Sequence, residues 1–339
     1  MLMNLASRLH TVIALVFLTL VCGGAAWAEG ARPIFVLNSQ DADVSVIDPA
    51  SFTQLRRVPT GKEPHHLYLA PDEKTLIVAN AASNSLTFID PASGAVRRTV
   101  PGIVDPYHLR FSPDMKWFVT AANRLNHVDL YRWQGAEVAE PLKLVKRIEA
   151  PKTPSHLSID SKSTVVYVSL QDSDELMAID LATQAPRWKL KVGKMPADLH
   201  LTADDRLLLV GLTGDKVVEV YDVNGPPGTP ARLVKRIETG NGAHAFRAKG
   251  DKRHVFVSNR VANTISLIDT QSLTVVEQYP GPGGPDCMEM LADGKTLLVT
   301  SRWARKLTFI DLASKKVVRQ VDVGRSPHGV WTLDHAPRL

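Results

Sequence analysis

Hydrophobic and polar residues alternate in short runs along most of the chain, and this pattern predicts β-strands. The runs are rich in β-branched and aromatic side chains and are separated by turns of Gly, Pro, Asn and Asp. The stretch 64–100 contains four of them, which read HLYLA, TLIVAN, SLTFID and AVRRTV. No stretch with helical periodicity of useful length interrupts these runs. The chain is therefore predicted to be all-β.

The same strand pattern recurs at a nearly constant interval. Seven segments align, and they end at Asp48, Asp90, Arg132, Asp180, Asp222, Asp269 and Asp311. The spacings between these ends are 42, 42, 48, 42, 47 and 42 residues, and the two longer ones contain Gly- and Pro-bearing insertions. Four short strands in a unit of about 42 residues are typical of a β-propeller blade. The repeat predicts a seven-bladed β-propeller of four-stranded blades.

The two ends of the repeat predict how the ring closes. The first unit starts at a second strand, PIFVLN, and the last unit is followed by a lone first strand, HGVWTL. We expect the C-terminal strand to complete the first blade, because this pairing leaves no free strand edge at the seam.

The first 28 residues differ from the rest. Arg8 precedes the apolar run TVIALVFLTLV and the small residues around Ala28, which is the pattern of a secretory signal peptide. The run is too short to span a bilayer, which needs ~20 residues. We therefore expect a signal peptide over residues 1–28, a propeller over residues 29–339, no membrane span once the signal is removed, and a periplasmic location.

Cysteine content and charge narrow the picture a little further. Cleavage of the signal would remove Cys22 and leave Cys287 without a partner for a disulfide. The formal net charge of +5 is only mildly basic and does not by itself indicate a nucleic acid partner.

Histidines recur just before the first strand of several repeats. When these strands are aligned on the preceding proline, with Gly242 in place of proline in one repeat, the second position holds His66, His108, His156, Asp198, His244, Cys287 and Gly329. The innermost strands of a propeller start at the same end of its channel, so we expect these side chains to surround one mouth. Imidazole, carboxylate and thiolate are ligands of zinc and copper, and the adjacent trio His66, His108 and His156 suits a single ion.

The turns between second and third strands are expected at the same mouth, and several carry cations. They bring Arg124, Arg260, Arg302, Trp303 and Arg305 near the histidines. An aromatic ring between guanidinium groups can hold a haem-like macrocycle with acidic groups, or a nucleobase with its phosphates.

Structural explanations stand beside each of these assignments. The histidines can hold neighbouring blades together, Cys287 can fill the core, and Trp303 can pack between blades. The recurrent aspartates, such as Asp72 and Asp90, fit turns in which the carboxylate bonds its own backbone.

The segments VFVSNRVANTISLID and PHHLYLAPDEKTLIVAN resemble the repeat of the YVTN-family β-propellers, and the resemblance covers essentially the whole chain after residue 28. It implies an exported seven-bladed propeller. Some relatives bind single-stranded DNA, and neighbouring propeller families are lactonases. A looser resemblance reaches the propellers of nitrous oxide reductase and the haem-d nitrite reductases, which hold copper or haem at the central axis. The CxxCH haem-attachment motif is absent from this sequence.

Three hypotheses of function follow. The first is a non-catalytic binding or scaffold propeller that holds copper, zinc, a macrocycle, another small ligand or a periplasmic protein at the His- and Arg-lined mouth. The second is an enzyme, either a lactonase-like hydrolase or a redox protein, although no GxSxG, HExxH or phosphate-loop motif occurs. The third is a protein that binds single-stranded nucleic acid through its basic face.

Overall fold

The computed structural model describes residues 32–338, which form seven sheets of four antiparallel strands arranged as a ring. Blade 1 consists of β1 (Ile34–Asn38), β2 (Asp43–Asp48), β3 (Thr53–Pro59) and the last strand, β28 (Pro327–Thr332). Blade 2 consists of β4 (Pro64–Leu69), β5 (Leu76–Asn80), β6 (Ser85–Ile89) and β7 (Val96–Pro101). Blade 3 consists of β8 (Pro106–Phe111), β9 (Trp117–Ala122), β10 (His127–Trp133) and β11 (Leu142–Glu149). Blade 4 consists of β12 (Pro154–Ile159), β13 (Val165–Leu170), β14 (Glu175–Asp180) and β15 (Ala185–Lys191).

The remaining blades repeat this order. Blade 5 consists of β16 (Pro196–Leu201), β17 (Leu207–Leu212), β18 (Val217–Asp222) and β19 (Arg232–Glu238). Blade 6 consists of β20 (Ala243–Ala248), β21 (His254–Asn259), β22 (Thr264–Asp269) and β23 (Thr274–Pro280). Blade 7 consists of β24 (Pro285–Met290), β25 (Thr296–Ser301), β26 (Lys306–Asp311) and β27 (Lys316–Asp322). Two short 3₁₀ turns, Ala81–Ser83 and Gln171–Ser173, connect second and third strands.

The predicted fold class and its closure are confirmed. Strand β28 pairs antiparallel with β1, so that both ends of the repeat build blade 1. The insertions predicted from the longer spacings lie between third and fourth strands, at residues 134–141 and 223–231. The predicted signal peptide lies outside the described residues. Within residues 32–338, no helix has the length and apolar character needed to cross a membrane.

Apolar side chains of adjacent blades interlock and form the core. One cluster joins blades 2 and 3 through Phe88, Phe111 and Phe118, and another joins blades 3 and 4 through Val119 and Leu157. The strand alternation therefore buries one face of each sheet against the sheet before it and the other against the sheet after it.

Polar side chains at the ends of the blades fix the starting point of the next inner strand. In four blades an Asn or Asp in the turn between second and third strands accepts a hydrogen bond, 2.8 Å long, from a backbone N–H just before the following inner strand. These pairs are Asn84 with Asp105, Asn126 with Thr153, Asp174 with Met195, and Asn263 with Gly284. The bonds hold neighbouring blades in register where the channel begins.

The seam strand makes a direct stability prediction. Trp331 on β28 is 2% exposed and its ring lies 6.1 Å from that of Phe35 on β1. We expect Trp331→Ala to lower the free energy of unfolding by about 3–5 kcal/mol, because it leaves a large cavity in the strand pair that closes the ring. Urea denaturation measures this change.

Trp303→Ala is the matched control, since Trp303 is 57% exposed and the same substitution there should cost less than about 1 kcal/mol. Equal effects of the two substitutions would contradict a closing role for β28.

Candidate metal centre

The inner strand is the first strand in each of blades 2–7 and is β28 in blade 1. Each inner strand carries an irregularity at its start that brings two consecutive side chains to the channel. The register between first and second strands shifts within the first four residues of the inner strand in all seven blades. A regular strand sends successive side chains to opposite faces, whereas a bulge re-aims them. The channel is therefore lined by two rings of side chains.

We call these the upper and lower rings, the upper one being nearer the mouth where the inner strands start. The upper ring consists of His65, Tyr107, Ser155, Ala197, His244, Asp286 and His328. The lower ring consists of His66, His108, His156, Asp198, Ala245, Cys287 and Gly329. All seven lower-ring residues line a cavity of about 80 Å³ that the upper ring does not line.

The position of His244 corrects the sequence alignment. Ala243, and not Gly242, is the first residue of β20 and pairs with Asn259 as Pro285 pairs with Ser301. His244 is therefore in the upper ring, and Ala245 takes the place in the lower ring. The alignment was displaced by one residue because this blade lacks the proline that marks the strand start elsewhere.

Asp286 organises the upper ring. Its carboxylate accepts hydrogen bonds from Arg260 Nη2 at 2.7 Å and from Arg302 Nη1 at 2.9 Å. The carboxylate is fully buried, and His244 Nε2 lies 3.1 Å from it. Burial alone would raise the pKa of the Asp286 carboxyl, but the surrounding positive charges, Arg260 first, hold that pKa well below its usual value. The Asp286 carboxylate is therefore ionised and paired with two guanidinium groups.

Aromatic stacking fills the rest of the upper ring. The ring of His65 lies 3.8 Å from that of Tyr107 and 3.7 Å from that of His328, with both pairs tilted by 31°. Nδ1 of His328 lies 2.9 Å from the carbonyl oxygen of His65. Because a carbonyl oxygen only accepts, the N–H of His328 donates this hydrogen bond.

Three imidazoles come together in the lower ring. The ring centres of His66 and His108 are 4.3 Å apart, those of His108 and His156 are 4.8 Å apart, and those of His66 and His156 are 5.1 Å apart. One nitrogen from each residue lies within 4.8 Å of one nitrogen of each of the others. We call this group the lower triad.

The lower triad has buried nitrogens without hydrogen-bond partners among residues 32–338. His66 Nε2 and His108 Nδ1 are buried and have no hydrogen-bond partner, while Nδ1 of His156 lies 2.9 Å from the Ser155 hydroxyl. Burial lowers the pKa of His66 and His108 well below the usual value and lowers that of His156 to about 4. At neutral pH the three imidazoles are uncharged, which is the form that binds a metal ion.

Two further groups also place three candidate ligands within 4.8 Å: His65 with His66 and His328, and His244 with Asp286 and His328. The second is the less suitable for a cation because Arg260 and Arg302 already pair with its carboxylate. The first shares His66 with the lower triad, and His65 Nδ1 and His328 Nε2 are also buried without a partner in the described part of the chain, but neither His65 nor His328 lines the cavity.

The other predicted ligands lie in the lower ring but are engaged elsewhere. The Asp198 carboxylate accepts backbone N–H bonds from Leu199 and Phe246, both 2.8 Å long. Cys287 Sγ lies 3.5 Å from His328 Nδ1, and burial raises the pKa of the thiol well above its usual value. The predicted ligand set therefore divides into the lower triad, His244 in the upper ring, and two residues with other contacts.

The predicted anion-binding arginines are mostly paired with acids. Arg124 contacts Glu63 and Asp105, each at 2.6 Å, and Arg260 and Arg302 both contact Asp286. Trp303 and Arg305 are exposed on the turn after β25.

Sequence reasoning did not select His65, Asp286 or His328 as site residues. They directly follow Pro64, Pro285 and Pro327, but alternation along a regular strand predicts that only one of two successive residues faces the channel. The bulge that brings both inward has no signature in the residue types.

Comparisons with known proteins agree with the fold. A family model described as YNCE-like beta-propeller matches residues 2–338. The chain is 29% identical over 165 residues to the uncharacterized protein YncE of Salmonella typhimurium, which covers 48% of this chain and 45% of the relative. It is 22% identical over 231 residues to methanethiol oxidase of Rattus norvegicus, which covers 60% of this chain and 45% of that protein. The matches thus span about half the length of these relatives.

Solved structures show the same architecture at low identity. Dihydro-heme d1 dehydrogenase NirN in complex with DHE superposes with a TM-score of 0.65 at 17% identity, over 89% of this chain and 75% of that one. The periplasmic gluconolactonase PpgL of Pseudomonas aeruginosa superposes with a TM-score of 0.73 at 20% identity, over 89% and 98% of the two chains. At these identities the likeness concerns the fold alone.

The buried imidazoles predict how stability depends on pH. Six channel histidines, His65, His66, His108, His156, His244 and His328, have pKa values lowered by burial, so the unfolded chain binds more protons than the folded one below about pH 6.5. The stability is fully present above that pH and is lost as the pH falls toward 4, by on the order of 1 kcal/mol per pH unit for each group.

Urea midpoints between pH 8 and pH 4 measure this loss in the metal-free protein. His156→Gln should reduce the slope by about one proton, because one neutral buried imidazole is removed. A stability that does not change between pH 6.5 and pH 4.5 would contradict the description of neutral imidazoles.

Proposed function

We propose that this chain, which belongs to the family of YNCE-like β-propellers, binds one transition metal ion in its central channel through His66, His108 and His156. The observation that supports this function is a buried group of three neutral imidazoles, with two nitrogens that have no partner among the described residues. A buried polar atom without a hydrogen bond is costly, and a ligand is one way to satisfy it.

The lower triad offers the ligand type that such an ion prefers, and its three nitrogens lie close to the spacing that the ion requires. Three histidines with a fourth position open are a known donor set for zinc, and imidazole also suits copper. Metal–nitrogen bonds of ~2.0–2.1 Å require the three nitrogens to approach one another more closely than 4.8 Å, which small rotations of the rings can achieve. When bound, zinc would supply an acidic coordinated water and copper would supply electron transfer.

A macrocyclic cofactor is less well supported. Its acidic groups would need free cations, whereas Arg124, Arg260 and Arg302 are already paired with carboxylates. The cavity under the lower triad also holds only about five waters, far fewer atoms than a tetrapyrrole contains. The three imidazoles of the lower triad are therefore better suited to a metal ion than to a macrocycle.

Export to the periplasm is the second part of this proposal. The pattern of residues 1–28 supports it, as does the likeness of the propeller to a protein described as a periplasmic gluconolactonase. We expect the chain expressed with its leader in a Gram-negative host to be recovered from the periplasmic fraction with Glu29 as its first residue. A variant with Ala26 and Ala28 both changed to Leu should remain unprocessed, because signal cleavage requires small residues there. Recovery of the full-length wild type in the cytoplasm would contradict export.

Metal binding is tested on the purified protein after removal of any tag histidines. We expect about one zinc(II) or copper(I) ion per chain in elemental analysis and titration calorimetry. His66→Ala, His108→Ala and His156→Ala should each weaken binding at least tenfold, because each removes one of three ligands.

Two control variants locate the site. His254→Ala should bind as well as the wild type, since His254 contacts Asp251 away from the channel. His244→Ala should also retain the ion. Loss of binding in His244→Ala with retention in the three triad variants would move the site to the upper ring, and a protein that binds no metal would overturn the proposal.

A further inference from the structure

The cavity beneath the lower triad is lined by cations as well as by imidazoles. His66, His108 and His156 line it, and so do Arg110, Arg247 and Arg338. A metal ion held by three imidazoles keeps a coordination position for an exogenous ligand. Because the upper ring lies on the far side of the triad, that position would face the cavity and its arginines.

The three guanidinium groups differ in how they are occupied. Arg247 Nε donates to Glu289 at 2.6 Å, and its other nitrogens donate to backbone carbonyls, including those of Ala336 and Pro337. Arg338 pairs with the same Glu289, so one buried carboxylate is shared between two cations. These two arginines anchor the C-terminal segment across the cavity.

Arg110 is the exception. Its Nε donates to the carbonyl oxygen of Leu157 at 3.3 Å, and its guanidinium carbon lies 5.9 Å from the centre of the Tyr68 ring. Among residues 32–338 it forms no salt bridge, and its only hydrogen bond is the one from Nε. Arg110 is close enough to affect the triad electrostatically, since its positive charge adds to the lowering of the pKa of His108 and His156 by burial.

The charge of the whole cavity is also favourable to an anion. Its three guanidinium groups face only two carboxylates: Glu289 is already shared, and Asp198 is held by backbone amides. The imidazoles add no compensating negative charge. The cavity therefore has an excess positive charge in a confined space, where electrostatic interactions are stronger than in water.

The volume limits the size of the ligand. A buried water needs at least ~10–15 Å³ of such space, so about 80 Å³ accommodates roughly five waters. An anion of a few heavy atoms fits within this space, whereas a sugar acid or a nucleotide would extend beyond it.

We propose that this cavity binds a small carboxylate or inorganic oxyanion, which Arg110 holds against the open coordination position of an ion at the lower triad. This inference rests on the proposed metal site and names the class of ligand that the site takes. Arg110 acts as a bidentate donor to the anion and is not itself a metal ligand.

The test uses the intact protein loaded with cobalt(II), whose visible absorption bands report its coordination. We expect formate, nitrite and acetate at millimolar concentrations to change these bands in the wild type, whereas citrate and benzoate do not. Ionic strength is held constant with the sodium salt of a bulky sulfonate, so that screening does not change between samples.

Variants then identify the residue responsible. Arg110→Gln should keep the bound cobalt but raise the dissociation constant for nitrite at least tenfold, and Arg110→Lys should lie between the two because it keeps the charge without the bidentate geometry. Arg132→Gln is the matched control, since Arg132 is also in blade 3 and lies over an aromatic ring, that of Trp117, but does not line the cavity. Equal nitrite affinity in wild type and Arg110→Gln, or equal binding of citrate, would overturn the inference.

A second measurement separates this inference from the metal site. In the metal-free protein, nitrite should raise the unfolding temperature of the wild type and of Arg132→Gln, but not that of Arg110→Gln, because a ligand stabilises only the fold that binds it. A protein that takes up no cobalt contradicts the proposed function. An absent nitrite effect in the metal-free wild type contradicts the anion site in its own right.

Discussion

The channel chemistry depends on the backbone bulge at the start of every inner strand. A regular strand would direct one of each two successive side chains away from the axis. The register shift within the first four residues, which is present in all seven blades, instead turns both toward it. The Asn and Asp bonds between blades hold the strand starts in place, so the two rings have a fixed spacing. Both rings, and the cavity below them, follow from this one irregularity.

The two rings have opposite electrostatic characters. In the upper ring the negative charge of the Asp286 carboxylate is compensated by two guanidinium groups. In the lower ring the imidazoles are neutral and two of their nitrogens have no partner. Polar groups in protein interiors are normally satisfied. Buried imidazole nitrogens without a partner among the described residues also occur in the upper ring, at His65 and His328, but those of His66 and His108 belong to residues that line the cavity. A ligand at that point would complete the interior without disturbing the charge pairs above it.

Much of this architecture could be predicted from the sequence, because the repeat of about 42 residues counts the blades and the lone final strand indicates the closure. The grouping of His66, His108 and His156 also follows from their common position after proline. The rest depends on features that residue types do not encode. The bulge brought His65, Asp286 and His328 inward, and Ala243 in place of proline hid the true position of His244. The pairing of Arg124 with Glu63 joins residues of different blades and has no local signal.

The blades that supply each ring indicate the order in which the two rings form during folding. The lower triad comes from blades 2, 3 and 4, which are consecutive, so contacts between sequence neighbours suffice to gather its three imidazoles. The upper ring includes His328, which arrives only when the last strand pairs with the first. Contacts that close a long loop form more slowly than local ones. The upper ring is therefore completed after the three imidazoles of the lower triad have come together. An ion would therefore find the imidazoles accessible from above in a partly folded chain and enclosed in the finished ring.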